Sequence, residues 1–210
     1  MAQSSGFWDK IAEKYSKEAI ADEASYEKKL SVTREYFKPE MEVLEIGCGT
    51  GSTALLHAPY VKHIRAIDFS EKMIAIAQGK AADQNIENVT FEQSTIDDLD
   101  EANQSLDMVL GLSVLHLLKD KEGAIAKVYK MLQPGGLFVS STACLGDSMP
   151  WFKIVALVGG IVRPLGLFPR VKVFTVDNLV GSLTQAGFAI DYQWQPSKEK
   201  AVFIVAKKPE

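Results

Sequence analysis

A chain of 210 residues, 47% hydrophobic and 24% charged, has the make-up of one ordinary folded domain with a single core. Its formal net charge of −4 and pI near 5.5 argue against a nucleic-acid binder that relies on a basic surface. Two separated cysteines make no disulfide framework, no apolar run reaches the ~18 residues of a membrane span, and the N-terminal stretch lacks a secretory pattern, so a cytoplasmic location is expected.

Residues 7–37 are charged and poor in helix breakers. Phe7, Trp8, Ile11, Ala12 and Tyr15 recur there at helical spacing, which predicts an N-terminal helical region, residues 1–38, ended by Pro39. MEVLEIG is a short apolar run stopped by glycine and predicts a buried strand. STALLHAP predicts a short helix cut by Pro59, and HIRAIDF a second strand. Ser70 is placed to cap a helix through EKMIAIAQGKAADQ, with Met73, Ile74 and Ala77 as its apolar stripe. NVTFEQ and SLDMVLGLS predict strands on either side of the acidic DDLDEANQ. A helix over 119–132 follows, closed by QPGG with glycine in the left-handed turn, and then the strand GLFVSSTA.

After Cys144 the rhythm changes. Residues 147–171 are apolar and interrupted by glycine and proline. A helix capped by Thr175 and closed by Gly187 resumes the alternation, and FAIDYQWQ and AVFIVAK finish the chain. QPSKEK between these last two strands is too short for a helical crossover, so they form an antiparallel hairpin. Strands alternating with helices otherwise predict an α/β fold with a mostly parallel sheet covered by helices on both faces.

The stretch GCGTG, at 47–51, places three glycines at a strand-to-helix turn, where unpaired N–H groups and the helix dipole meet a ligand. The spacing is G-x-G-x-G. The third glycine of a dinucleotide fingerprint falls instead on Ser52, which speaks against a nicotinamide-dependent oxidoreductase. Glu45 precedes the turn, and Asp68 ends the next strand, where a carboxylate can accept both hydroxyls of a diol.

VLEIGCGTG, AIDFSEKMI, VTFEQSTIDDL, SLDMVLGLSVLHLL and MLQPGG, in that order, resemble class I S-adenosylmethionine-dependent methyltransferases, above all the small-molecule, quinone-biosynthesis type. That resemblance implies a Rossmann-like, seven-stranded sheet and S-adenosyl-L-methionine as cofactor. It implies that Gly47, Cys48, Gly49 and Gly51 line the methionine half of the cofactor. Glu45 takes its ammonium group, and Asp68 its ribose. Phe69 and Met73 pack on the adenine or simply complete the core, and Thr95 and Ile96 lie at the adenine edge. Thr95 departs from the acidic residue usual in the family. Leu112 offers its backbone near the cofactor's amino group.

Methyl transfer from a sulfonium needs alignment first and a base only if the acceptor must lose a proton. His116, after the fourth strand, is the candidate base, with core packing as the competing reading. Tyr15, with Trp8, is the candidate aromatic lid over the sulfonium. His57 and His63 look like ordinary surface residues, and the scattered histidines and cysteines suggest no metal site. The apolar insert 147–171 reads as a substrate cap, a membrane or lipid contact through 151–168, a dimer interface, or extra core. The expected activity is methyl transfer to a small apolar or amphipathic acceptor. A non-catalytic cofactor binder on the same fold is the alternative.

Overall fold

The structure is a computed structural model that describes residues 5–147 and 171–210; most of the apolar insert therefore lies outside the described residues. The chain divides into two compact units, Met1–Asp100 and Glu101–Glu210.

The first unit runs α1 (Gly6–Lys17), α2 (Glu23–Glu35), β1 (Glu42–Ile46), α3 (Ser52–His57), β2 (His63–Asp68), α4 (Glu71–Asp83) and β3 (Val89–Gln93). β2 lies between β1 and β3 and is parallel to both, with Glu45 beside Ala66 and Ala66 beside Phe91. The strand interiors are buried on nearly every residue, which is why the sequence shows continuous apolar runs. α4 packs against β2 and β3, α1 against α4, and α2 against α3. Ser70 caps α4 as expected, its hydroxyl accepting from Met73 N–H at 3.2 Å.

The N-terminal helical region consists of two helices among the described residues. Asp22 starts the second by accepting from Ser25 N–H at 3.2 Å, and the chain between them is extended at Glu18. An aspartate N-cap can restart a helix without any glycine or proline to announce the break.

His57 also departs from expectation. It is buried at 0% exposure, and both ring nitrogens lack a hydrogen-bond partner. The Phe37 ring meets it edge-on, with centroids 4.9 Å apart. Burial, with a smaller push from Arg34, lowers its pKa to about 3. The unfolded chain therefore binds a proton near pH 6.5 that the folded chain refuses until about pH 3. The stability this histidine leaves intact above pH 6.5 is lost as pH falls, at up to ~1.4 kcal/mol per pH unit. His57→Leu removes that loss. Between pH 7 and pH 4 the wild type is expected to lose stability to denaturant faster than the variant; parallel curves would contradict the assignment.

The second unit runs β4 (Leu106–Leu112), α5 (Lys121–Met131), β5 (Leu132–Thr142), α6 (Val176–Gln185), β6 (Ala189–Trp194) and β7 (Val202–Lys207). The strand order is β4-β5-β7-β6, with β4 parallel to β5 and β7 antiparallel to both β5 and β6. The C-terminal hairpin is as predicted, and the two units together carry seven strands.

QPGG does not cap α5. β5 begins directly after the helix at Leu132, and QPGG is an irregularity within that strand. The register jumps from Leu106↔Leu132 to Met108↔Leu137, and Gly135 supplies the positive φ of 78° that the excursion needs. The glycine closure expected at Gly187 is found after α6. Gly187 N–H bonds to Thr184 O at 3.0 Å and Phe188 N–H to Leu183 O at 3.1 Å, the paired bonds of a Schellman ending. Gly187 has φ 105°, and a Cβ there would stand 2.9 Å from the Tyr129 hydroxyl.

The described ends of the insert are fastened to each other. Gly146 N–H donates to Phe174 O at 2.9 Å, and Val176 N–H donates to the Asp147 carboxylate at 2.6 Å. Lys172 N–H donates to His116 O at 2.7 Å.

Candidate cofactor site

From Glu45 the chain leaves β1 through the glycine turn and enters α3. Gly47, Gly49 and Gly51 have φ of 67°, 54° and 75°. All three are left-handed, so the sequence needs glycine for the path itself. At position 51 space forbids anything larger, because a Cβ would lie 2.7 Å from Ala77 Cβ and from the Phe91 ring. At position 49 a Cβ would meet nothing nearer than Tyr15 Cε1 at 3.8 Å, so the backbone there stays open to an incoming group. Lys80, from α4, braces the turn by donating to Thr50 Oγ1 and Ser52 Oγ, both at 3.0 Å.

Asp68 joins this turn to the next one. Its Oδ2 accepts from Gly49 N–H and its Oδ1 from Ser70 N–H, both at 2.9 Å. Each oxygen keeps a lone pair for a further donor, the capacity that a diol requires. The residue is 8% exposed, and burial raises its pKa against the lowering by the backbone N–H groups. Ser70 in turn donates its hydroxyl to Asp9 of α1 at 2.6 Å, so α1 is tied to the same corner.

Glu45 is 3% exposed, and its Oε2 has no hydrogen-bond partner. Burial first, and the Asp68 carboxylate second, push its pKa up to about 8. A buried carboxyl with an idle oxygen is stabilised in its ionised form by an arriving cation. Cys48 is buried between the same charges, which with burial push its thiol well up, so it supplies no thiolate at neutral pH.

Tyr15 reaches the turn from α1. It is 48% exposed, and its phenol is raised by desolvation and by the Asp68 charge, so it stays protonated at neutral pH. Trp8 stands edge-on to it at 6.4 Å and Phe7 edge-on to Trp8 at 5.2 Å, which makes an aromatic row along α1. Tyr26, on α2, was not foreseen. Its hydroxyl lies 3.1 Å from Thr53 Oγ1, and the Glu45 charge contributes to the rise of its pKa.

Of the expected adenine-side residues, Phe69 is half-buried and Ile96 is 5% exposed. Met73 is 2% exposed, among the buried side chains of α4. Thr95 is half-buried. Its hydroxyl donates to the Asp98 carboxylate at 2.7 Å and accepts from Asp98 N–H at 3.1 Å, which caps a local turn.

In the second unit Leu112 ends β4 beside Ser141, and Ser113 follows at φ 60°, a left-handed conformation without glycine. His116 sits in a single turn of 3-10 helix, Leu115–Leu117, that packs against β5. Its Nδ1 is buried without a partner, and burial lowers its pKa, so the ring is neutral at pH 7 and able to accept a proton.

The sequence pattern of the methyltransferase domain matches residues 37–160, well over half of the chain. The chain belongs to the methyltransferase-domain family. Within that family it is similar to the uncharacterized methyltransferase YcgJ of Bacillus subtilis, 30% identical over 132 residues, which cover 63% of this chain and 52% of that one. It is also similar to malonyl-[acyl-carrier protein] O-methyltransferase of Bacillus cereus, 34% identical over 117 residues, 54% of this chain and 42% of that one. The chain thus spans about half the length of these two curated relatives. Demethylmenaquinone methyltransferase of Symbiobacterium thermophilum is 24% identical over 234 residues, covering 97% and 92% of the two chains. The crystal structure of YcgJ superposes with a TM-score of 0.73 at 19% identity, over 88% of this chain and 99% of that one, and establishes the Rossmann-like methyltransferase fold.

The cofactor of this methyltransferase is S-adenosylmethionine. The residues present fit it. Glu45 has a buried oxygen in want of a cation, Gly49 leaves the backbone uncovered, and Asp68 can take a diol. No described helix is long and apolar enough to cross a membrane.

Proposed function

We propose that this methyltransferase moves a methyl group from S-adenosylmethionine to a small apolar or amphipathic acceptor of quinone-like or lipid-like character. The observation that carries the cofactor half is the orphaned Oε2 of buried Glu45 beside the glycine turn, with Asp68 spanning Gly49 and Ser70. When bound, the cofactor supplies an activated methyl on a sulfonium. Glu45 holds the ammonium group, and Asp68 accepts from the ribose hydroxyls. Gly47, Cys48, Gly49 and Gly51 give the methionine half its backbone contacts, and Leu112 offers its own backbone near the amino group. Phe69 and Ile96 bound the adenine. Tyr15 turns its ring toward the opening at Gly49 and shields the reacting centre from water.

His116 takes the proton from an acceptor that carries one. Its buried, partnerless Nδ1 and lowered pKa support that role. The acceptor class is supported by the apolar character of residues 147–171, by the bond from Lys172 to the His116 backbone, and by the likeness to a demethylmenaquinone methyltransferase along almost the whole chain. In this reading the insert caps the acceptor, and the cytoplasm is the site of action.

Incubation with methyl-labelled S-adenosylmethionine and a panel of quinones, phenols and lipid extracts tests the reading. Label is expected in an organic-soluble product. Tight cofactor binding without transfer to any acceptor would favour the non-catalytic alternative. His116→Ala is expected to keep cofactor affinity and lose roughly 100-fold in turnover, the usual worth of a positioned base. Equal turnover would remove His116 from the mechanism.

A further inference from the structure

Lys80 touches the glycine turn and has no part in the binding scheme above. It lies in the last turn of α4, three residues beyond Ala77. Its Nζ donates to Thr50 Oγ1 and to Ser52 Oγ, both at 3.0 Å, so one ammonium spans the two residues that flank Gly51. Gly51 itself is pressed from the same helix and from β3, since a Cβ there would stand 2.7 Å from Ala77 Cβ and from the Phe91 ring. α4 therefore packs on the middle residue of the trio and bonds to both of its neighbours.

A half-buried lysine ordinarily meets a carboxylate. Among the described residues Lys80 meets none, and both of its partners are hydroxyls. Desolvation lowers its pKa, and no acid opposes that shift. Its charge is not among those that act on Glu45 or Asp68. Lys80 thus does not tune the two acids of the site. Whatever it does for the site passes through the shape of the turn.

That shape is costly to keep. Gly47, Gly49 and Gly51 all stand at positive φ, and glycine has more backbone freedom to lose than any other residue. Within the turn, Gly51 N–H is held by Cys48 O at 3.0 Å. We infer that Lys80 is a positioning residue for the cofactor: by fixing Thr50 and Ser52 it holds the glycine turn in its binding path before the cofactor arrives, so that binding need not order it. This rests on the cofactor placement proposed above.

Two ligands separate this role from general upkeep of the fold. S-adenosylhomocysteine carries the amino-acid end that the turn would line, and 5′-methylthioadenosine keeps the adenosine and a thioether without it. By calorimetry, Lys80→Met, which keeps the stem and loses the donors, is expected to weaken S-adenosylhomocysteine about 10-fold and to leave methylthioadenosine within about twofold. Thr50→Val combined with Ser52→Ala removes the acceptors from the other side and should give the same selective loss. Adding Lys80→Met to that pair should cost less than about a further twofold, because the bonds are already gone. Amide exchange at Gly51 should quicken in each variant, while Met73 N–H, capped by Ser70, keeps its rate. Unchanged affinity for S-adenosylhomocysteine in Lys80→Met, an equal loss for both ligands, losses that add across the two sides, or an unchanged Gly51 rate overturns the inference. Wild-type protein that binds neither ligand would overturn the cofactor placement itself, a separate result.

Discussion

Asp68→Ala is expected to weaken S-adenosylhomocysteine binding by roughly 100-fold or more while leaving a folded protein. The estimate counts two hydrogen bonds to a charged group, each worth ~1.5–3 kcal/mol. It excludes a further loss that the structure makes unavoidable. Gly49 N–H and Ser70 N–H both bond to this carboxylate, so its removal frees the glycine turn and the start of α4 together. Asp68→Asn keeps one acceptor oxygen and should fall between wild type and alanine. Calorimetry with circular dichroism as a folding control measures this. A binding constant within threefold of wild type for the alanine variant would show that the ribose is held elsewhere.

Glu45 carries the second large effect, and its direction depends on pH. Its pKa near 8 means that the free protein holds this carboxyl mostly protonated at pH 7. Pairing with an ammonium requires the ionised form, so binding at pH 7 should release close to one proton. Between pH 6 and pH 7 affinity should improve by nearly tenfold per unit, since the carboxyl must be ionised while the ligand's amino group stays protonated. Titrations in two buffers of different ionisation enthalpy count the proton. Glu45→Gln should abolish the release and cost roughly 100-fold in affinity.

The same residue has an opposite effect on folding. Its folded pKa lies above the unfolded value of 4.5, so the stability it leaves intact below about pH 4.5 is lost as pH rises toward 8. Glu45→Gln should therefore raise stability near pH 7.5, on the order of 2 kcal/mol. A variant that is both sturdier and unable to bind would identify a charge kept for function. Unchanged stability together with unchanged affinity would contradict the assignment.

Much of this site was legible because its chemistry constrains the backbone. The glycines at 47, 49 and 51 are forced by positive φ, Asp68 by its place at a strand end, and Ser70 and Thr175 by helix caps that bond as their residue types suggest. Tyr26 was harder to see because it sits in a charged helix, among Glu23, Glu27 and Lys28. Its only signal was the i, i+4, i+7 spacing of Tyr26, Leu30 and Thr33. His57 misled for a related reason. A polar residue after Leu56 looks like surface, yet it falls three residues after buried Ala54, on the inward side of a helix too short to show a period. The T-x-x-D pattern at Thr95 and Asp98 is a capping signal that the sequence already carries. QPGG failed as a cap because glycine signals a turn without saying whether a helix or a strand owns it.

The fastening at residues 146–147 and 172–176 has a bearing on how such a protein changes over generations. Gly146 approaches Phe174 so closely that a Cβ would come within 2.7 Å of its backbone, and Asp147 reaches the first residue of α6. Chain that leaves at one of these points and returns at the other imposes no new path on β5 or α6. A change of length between these two points would therefore leave both bonds, and with them the end of β5 and the start of α6, in place.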